Sequence, residues 1–390
     1  MKALILFSHA LAADRHERVR RGEHPQADYD ALAEAIRATP GGQADILDMT
    51  EVARERGWLV RLSRRWLGDY WAMAMLAFLR CRQYDVVMSH SEIVGLPLSL
   101  LLALLWRRPR HVSVAFYLHG RRNWVWYRLL RSHNRIDKII LQSRTQYEIG
   151  RTRLRIPESG LLNLESCGYV DIRFFEDRPV LPVNERQVCS AGREFRDFAT
   201  LVKAAAGLPD IAVKIDPASP WSLHRNYLAD EPTPANVEIC RLELGTIWRL
   251  YGESAVVAVP LLPNPISAGS TTLVEAMAMG KPVIVTRSAD GGFAGWADLI
   301  DGENVILVNP GDADDMRRAI ALLMGDPELR QRIGANGRRW AQKHAGREEW
   351  LRIMLGALSG PTDARRFNSD GLGEWLTGIH VDHHSLGRKK

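Results

Sequence analysis

The chain has 390 residues, 46% apolar and 25% charged, with a formal net charge of +6. That length accommodates two domains, and the composition is that of a globular protein. The longest apolar run, Ile93 to Trp106, is well short of the roughly 20 residues needed to span a bilayer. Met1 to Phe7 is too short for a signal peptide. Cys81, Cys167, Cys189 and Cys240 are scattered, with no CxxC pair. They signal neither a zinc site nor a disulfide framework and fit a reduced cytosolic compartment.

Lys2 to Phe7 reads as a strand ending at Ser8-His9. Tyr29 to Ala38 has helical spacing and stops at Pro40-Gly41-Gly42. Ala44 to Leu47 is a second strand, and Trp58 to Arg80 one long helical pattern. Strands at Asp85 to Ser89, His111 to Leu118 and Lys138 to Gln142 alternate with helical stretches at Gly95 to Trp106, Asn123 to Leu130 and Thr145 to Arg153. Such alternation predicts an α/β fold with a parallel, doubly wound sheet. Glu176 to Arg186 carries Pro179 and Pro182 without periodicity and reads as a linker. Strands resume at Gln187 to Ala191, Ile211 to Ile215, Val237 to Cys240 and Ala255 to Val259, with helices at Phe198 to Ala206 and Leu244 to Tyr251. Ala313 to Met324, Pro327 to Ile333 and Asn336 to Leu358 are the closing helices. The expected division is a first domain over 1–175, a linker over 176–186, a second domain over 187–358 and a polar tail over 359–390.

One stretch organises the chain, PLLPNPISAGSTTLVEAMAMGKPVIVT from Pro260 to Thr286. It reads as polar loop, helix over Thr271 to Met279, glycine stop at Gly280, and strand. The helix start carries Gly269, Ser270, Thr271 and Thr272. Their backbone N–H groups and the positive end of the helix dipole suit a diphosphate. Glu275, one turn further in, can accept two hydrogen bonds from a vicinal diol such as a ribose.

These residues resemble the nucleotide-sugar signature of retaining GT-B glycosyltransferases of family 4. Glu275-Ala276-Met277-Ala278-Met279-Gly280-Lys281-Pro282-Val283-Ile284 matches its second half, while Ser267 stands where the family has its first glutamate. Gly168-Tyr169-Val170-Asp171-Ile172-Arg173-Phe174-Phe175 is similar to the family's segment closing the first domain. The resemblance runs from about Tyr169 to Leu358. It implies two Rossmann-like domains facing across a cleft, with the nucleotide diphosphate sugar bound mainly by the second and the acceptor by the first. It further implies sugar transfer with retention of configuration, with no cofactor and no metal.

The resemblance places Arg193 and, more loosely, Arg196 on the diphosphate, because guanidinium forks bind phosphate bidentately. Ion pairs with Glu194 or Asp197 are the alternative. His119 ends a strand where the family often has a histidine contacting the transferred sugar, which makes His119 and Arg193 the catalytic candidates. Ser267, Gly269, Ser270, Thr271, Thr272 and Glu275 complete the donor set. His9 ends the first strand in the same way and is the acceptor candidate, although Ser8-His9-Ala10-Leu11 replaces the family's Gly-Gly loop. Asp312-Ala313-Asp314 reads most simply as a helix N-cap, and His380, His383 and His384 lie in the polar tail. The rival functions are a nucleotide-sugar epimerase of the same fold and a non-catalytic nucleotide-sugar-binding protein.

Charge is uneven. Residues 1–180 hold 28 Lys+Arg against 20 Asp+Glu, and residues 181–390 hold 24 against 26. A basic first half attracts anions such as phosphorylated acceptors, anionic lipid headgroups or nucleic acid; the expected acceptor is a sugar, a lipid-linked molecule or a small molecule, with no nucleic-acid partner. Trp58, Leu59, Leu62, Trp66, Leu67 and Tyr70 share a broad helical face flanked by Arg61, Arg64 and Arg65. That face suits peripheral contact with an anionic membrane, or else packs its rings inward on its own sheet.

Overall fold

The computed structural model describes residues 1–164, 169–192, 194–217, 233–287 and 298–360. The first sheet contains β1 (Lys2–Leu6), β2 (Gln43–Leu47), β3 (Val86–Ser89), β4 (Arg110–Ala115), β5 (Lys138–Leu141) and β6 (Leu161–Asn163), in the order β2-β1-β3-β4-β5-β6. The second contains β7 (Asn184–Ala191), β8 (Ala212–Asp216), β9 (Val237–Ile239), β10 (Ser254–Val259), β11 (Val283–Thr286) and β12 (Ile306–Val308), in the order β12-β11-β10-β7-β8-β9. All pairings are parallel. The fold is α/β with two Rossmann-like sheets, and the reason is visible in the strands. VVMS in β3, SAVVAV in β10 and VIVT in β11 are buried throughout, as strands covered by helices on both faces must be.

Strand order reverses between β1 and β3 in the first sheet and between β7 and β10 in the second. Loops leaving the carboxyl ends of strands diverge at such a switch point and open a crevice where ligands bind. In this chain those loops begin at Phe7, His90, Gly192 and Pro260.

Both chain crossings exchange core between the domains. Val170, Phe174 and Phe175 pack with Tyr251, Leu273 and Met277 in the second domain's core. The last helix, Arg347–Ser359, returns to the first, where Trp350, Leu351, Met354, Leu355 and Leu358 pack with Ile5, Val86 and Val112. Burying each large side chain contributes about 1.5–3 kcal/mol. Packing therefore shifts the expected boundaries, with 170–175 joining the second domain and 347–359 the first.

Three helical expectations change. The pattern from Trp58 to Arg80 is two helices, Trp58–Leu67 and Asp69–Arg80, because Gly68 sits at φ +92° and breaks the ladder. The first of them rests on Val60 and Ser63 and turns Trp58 and Trp66 outward, so its rings do not pack on the sheet. Conversely, Pro327–His344 runs as one helix through Gly334. That glycine is a close-approach point: a Cβ there would lie 2.1 Å from the Gly280 carbonyl oxygen. Among the described residues no helix is long and apolar enough to cross a membrane.

Gly334→Ala is expected to lower stability by roughly 1–3 kcal/mol, because backbone must move to admit the methyl. Urea unfolding checks this against Arg339→Ala, an exposed change on the same helix expected to have little effect.

Candidate functional site

The second-domain wall is built where the loops after β7 and β10 zip together. Asp197 N–H donates to the Pro260 carbonyl at 3.1 Å and Leu262 N–H to the Phe195 carbonyl at 2.8 Å. Helix Ser270–Ala278 then starts from Gly269 and ends before Gly280, which at φ +71° forms the predicted left-handed stop. Ser270 Oγ donates back to the Ser267 carbonyl at 2.9 Å. The N–H groups of Thr271 and Thr272 lie in the first turn, where a helix offers no internal acceptor.

Arg196 braces the two loops. Its Nε donates to the Ala191 carbonyl at 3.0 Å, one terminal nitrogen to the Glu194 carbonyl at 3.0 Å, and the other to Thr272 Oγ1 at 2.9 Å. Gly192, at φ +101°, makes room, since a Cβ there would approach the guanidinium to 2.5 Å. Asp197 caps the next helix, accepting from the Thr200 N–H at 3.1 Å. Burial brings the Arg196 pKa down to about 10 against the facing Tyr251, Glu275 and Glu194 charges, so it stays cationic at neutral pH.

Glu275 is only 6% exposed. The Tyr251 hydroxyl donates to it at 3.0 Å. Burial pushes its carboxyl pKa up to about 7, with the Tyr251 hydrogen bond and the Arg196 charge pulling the other way. Tyr251 in turn lies against Phe175 at a ring separation of 6.5 Å. The interdomain crossing thus supports the carboxylate.

The first-domain wall presents three histidines at adjacent strand ends: His9 after β1, His90 after β3 and His119 beyond β4. His90 Nε2 meets Asp28 Oδ2 at 2.6 Å. Burial disfavours charge on that ring, but the Asp28 charge and hydrogen bond outweigh it and raise its pKa. His9 goes the other way, lowered by burial and then by His90. Glu92 holds the exit of β4, accepting from Phe116 N–H at 3.0 Å and Tyr117 N–H at 2.9 Å.

Gln146 fixes the His119 tautomer. Leu118 N–H can only donate, and it meets Gln146 Oε1 at 2.6 Å. The amide nitrogen therefore faces the Pro265 carbonyl at 3.0 Å and His119 Nδ1 at 3.1 Å. An amide N–H donating to Nδ1 requires that nitrogen to be the acceptor, so neutral His119 carries its proton on Nε2. Pro265 also accepts from Ser143 Oγ at 3.0 Å, and Ser267 Oγ donates across to the Gln142 carbonyl. Tyr117 hydroxyl reaches Glu194 at 3.3 Å. The loop before helix Ser270–Ala278 is thereby docked on the first domain beside His119.

Arg196, Thr272 and Glu275 thus share one network, Gly269, Ser270 and Thr271 begin the helix beside it, and His119 joins through Gln146 and Pro265. Ser267 serves the docking of the two domains. His9 belongs to a separate cluster with Phe7, Tyr29 and His90. Arg193, and the tail histidines His380, His383 and His384, lie outside the described residues. Asp312 caps helix Ala313–Gly325, accepting from Asp315 N–H at 2.8 Å. Among the described residues no group of three His, Cys, Asp or Glu side chains could hold a metal ion. Sequence reading missed Tyr251, Gln146, Glu92 and the His90–Asp28 pair. The repeat of Ser-His at Ser8-His9 and Ser89-His90 was the available signal for the last.

Glu275 gives a signed pH prediction. Its folded pKa lies above that of the unfolded chain, so burial favours the protonated form. The associated stability is present below the unfolded carboxylate range and is lost as pH rises to about 7. Glu275→Gln removes the ionisation and is expected to unfold later than the parent at pH 8, by up to about 3 kcal/mol, with the gain fading toward pH 4.5. Urea unfolding from pH 4.5 to 8 measures it. A separate expectation concerns the tautomer. In Gln146→Glu the carboxylate can only accept, so the His119 proton moves to Nδ1. Ring-nitrogen NMR shifts distinguish the two forms, and an Nδ1–H signal in the parent would refute the assignment.

Residues 239–340 match the family model of the glycosyl transferases group 1. The chain is 29% identical over 167 residues to the lipopolysaccharide core biosynthesis glycosyltransferase LpsE of Rhizobium meliloti, covering 40% of this chain and 44% of that protein. It is 33% identical over 89 residues to an MMP alpha-(1->4)-mannosyltransferase of Mycolicibacterium hassiacum, covering 22% and 20%. These matches span less than half of each relative's length. Among solved structures, a glycosyltransferase from Rickettsia africae superposes with a TM-score of 0.64 at 16% identity, covering 94% of this chain and 99% of that one. Anabaena Alr3699/HepE in complex with UDP-glucose superposes with a TM-score of 0.65 at 14% identity, covering 92% and 99%. The chain therefore has the GT-B fold, and residues 239–340, within its second domain, are similar to the glycosyl transferases of group 1.

Proposed function

We propose that the chain transfers a sugar from a nucleotide diphosphate sugar to an acceptor hydroxyl, with retention of configuration and without a metal. The observation that carries this reading is the position of Glu275: a buried carboxylate one turn inside a helix whose open N-terminus faces a switch-point loop, within the segment matching the group 1 family. Glu275 accepts the two ribose hydroxyls. The first turn at Ser270, Thr271 and Thr272, with Arg193 and Arg196, carries the diphosphate. Their partial and full positive charges stabilise the negative charge that grows on the leaving group. His119 offers its Nε2–H to a sugar hydroxyl, and the acceptor enters on the side of His9. The UDP-glucose in the Anabaena protein's complex supports a uridine nucleotide as the first to try.

A non-catalytic binding protein is the second reading, favoured by Ser267, which replaces the family's first glutamate and hydrogen-bonds to the Gln142 carbonyl. Donor turnover decides between them. Consumption of nucleotide sugar that depends on added cell extract supports transfer, consumption without acceptor supports epimerisation, and binding without turnover supports the second reading.

Calorimetry with UDP tests the site itself. Glu275→Gln is expected to weaken binding by roughly tenfold or more, because hydrogen bonds to a charged acceptor contribute about 1.5–3 kcal/mol. Parent affinity should also fall as pH drops below about 7, where the carboxyl gains its proton. Equal affinity of parent and variant across that range would refute the role of Glu275.

A further inference from the structure

Helix Trp58–Leu67 lies on the protein through Val60 and Ser63 and turns its remaining faces outward. Trp58, Leu62 and Trp66 recur every four residues and so form one stripe; they are 71%, 48% and 73% exposed. Arg61 and Arg65 run beside that stripe, also exposed. Arg64 is turned to Asp69 at 2.7 Å. Indole rings and leucines in water have an unfavourable hydration free energy that a folded chain normally avoids by packing them.

A second exposed group adjoins the first. Helix Asp69–Arg80 packs against helix Trp58–Leu67, and its Trp71 meets Trp126 at a ring separation of 6.2 Å. Trp126 belongs to a segment that exposes Trp124 at 55% and Leu129 at 68%. The charge around it is mainly basic. Residues 121–131 contain four arginines and no aspartate or glutamate, and residues 56–68 contain four arginines, of which Arg64 pairs with the adjoining Asp69.

We infer that this face of the first domain docks on the surface of an anionic phospholipid bilayer. Guanidinium groups bind lipid phosphates, tryptophans settle at headgroup depth, and leucines reach the acyl boundary. The pairing of bare apolar side chains with exposed arginines, Arg61 and Arg65 beside them, is what selects this partner. A second copy of the chain would set arginine against arginine across a two-fold interface. A nucleic acid would satisfy the arginines but leave the leucines in water. The inference is independent of the proposed activity, because binding needs no turnover.

Co-sedimentation with vesicles tests it on the full chain. Vesicles of phosphatidylglycerol and phosphatidylcholine should retain the protein at low salt, with a blue shift of tryptophan emission, and release it as salt is raised to about 0.5 M. Vesicles of phosphatidylcholine alone should bind far less. Each guanidinium at a charged lipid surface contributes roughly fivefold, so Arg61→Glu with Arg65→Glu should weaken binding by at least about twentyfold. Trp58→Ser with Trp66→Ser should abolish the blue shift. All four side chains are exposed, so circular dichroism of both variants should match the parent. Failure to bind anionic vesicles at low salt overturns the inference. So does retention of duplex DNA in place of vesicles, or a dimer that the tryptophan substitutions dissociate.

Discussion

A carboxyl group placed where water scarcely reaches must either find polar partners or keep its proton. Glu275 does part of each, and much of the second domain is arranged around that compromise. Tyr251 supplies one hydrogen bond and Arg196 supplies charge. Arg196 can lie there only because Gly192 has no side chain and because three acceptors, the Ala191 and Glu194 carbonyls and Thr272 Oγ1, hold the guanidinium. Thr272, one of those acceptors, sits on the same helix as Glu275. Removing any member would leave a buried polar atom unmatched, so the loop after β7, the loop after β10 and the helix form a single unit.

The two crossings of the chain extend that unit across the molecule. Phe175 packs beside Tyr251, and Arg178 lies 3.9 Å over the Phe174 ring while donating to the Gly22 carbonyl at 2.9 Å. Asp171 accepts the Gln26 backbone N–H at 2.8 Å. The segment Tyr169 to Phe175 therefore anchors a first-domain loop at one end and the second-domain core at the other. Helix Arg347–Ser359 makes the reciprocal connection. Two covalent crossings with buried anchors therefore tie each domain's core to the chain of the other.

What the sequence made legible was local. The strands, the Pro260 to Thr286 unit and Glu275 followed from apolar runs, a glycine stop and a contiguous motif. What it hid depended on neighbours distant in the chain. Gly68 and Gly334 look alike in a helical pattern, yet one breaks a helix and the other admits the Gly280 backbone. Tyr251 reads as one more apolar position until Glu275 is placed beside it. Gln146 has no sequence signal, because its role arises where β4, β5 and the Pro265 loop meet. The outward turn of Trp58 and Trp66 was equally invisible, since a stripe of rings packs inward or outward with the same periodicity.

Gln146 joins two properties that are separate in the sequence. Its oxygen is committed to Leu118 N–H, so its two amide hydrogens have two acceptors, one in each domain: His119 Nδ1 and the Pro265 carbonyl. Withdrawing the Pro265 loop leaves one hydrogen without its partner in a side chain that is almost fully buried. An unmatched buried donor costs about 1–3 kcal/mol. The same withdrawal frees the amide to turn away from His119 and removes the reason for its proton to stay on Nε2. The docking of the Pro265 loop and the orientation of the His119 donor therefore depend on one residue, Gln146.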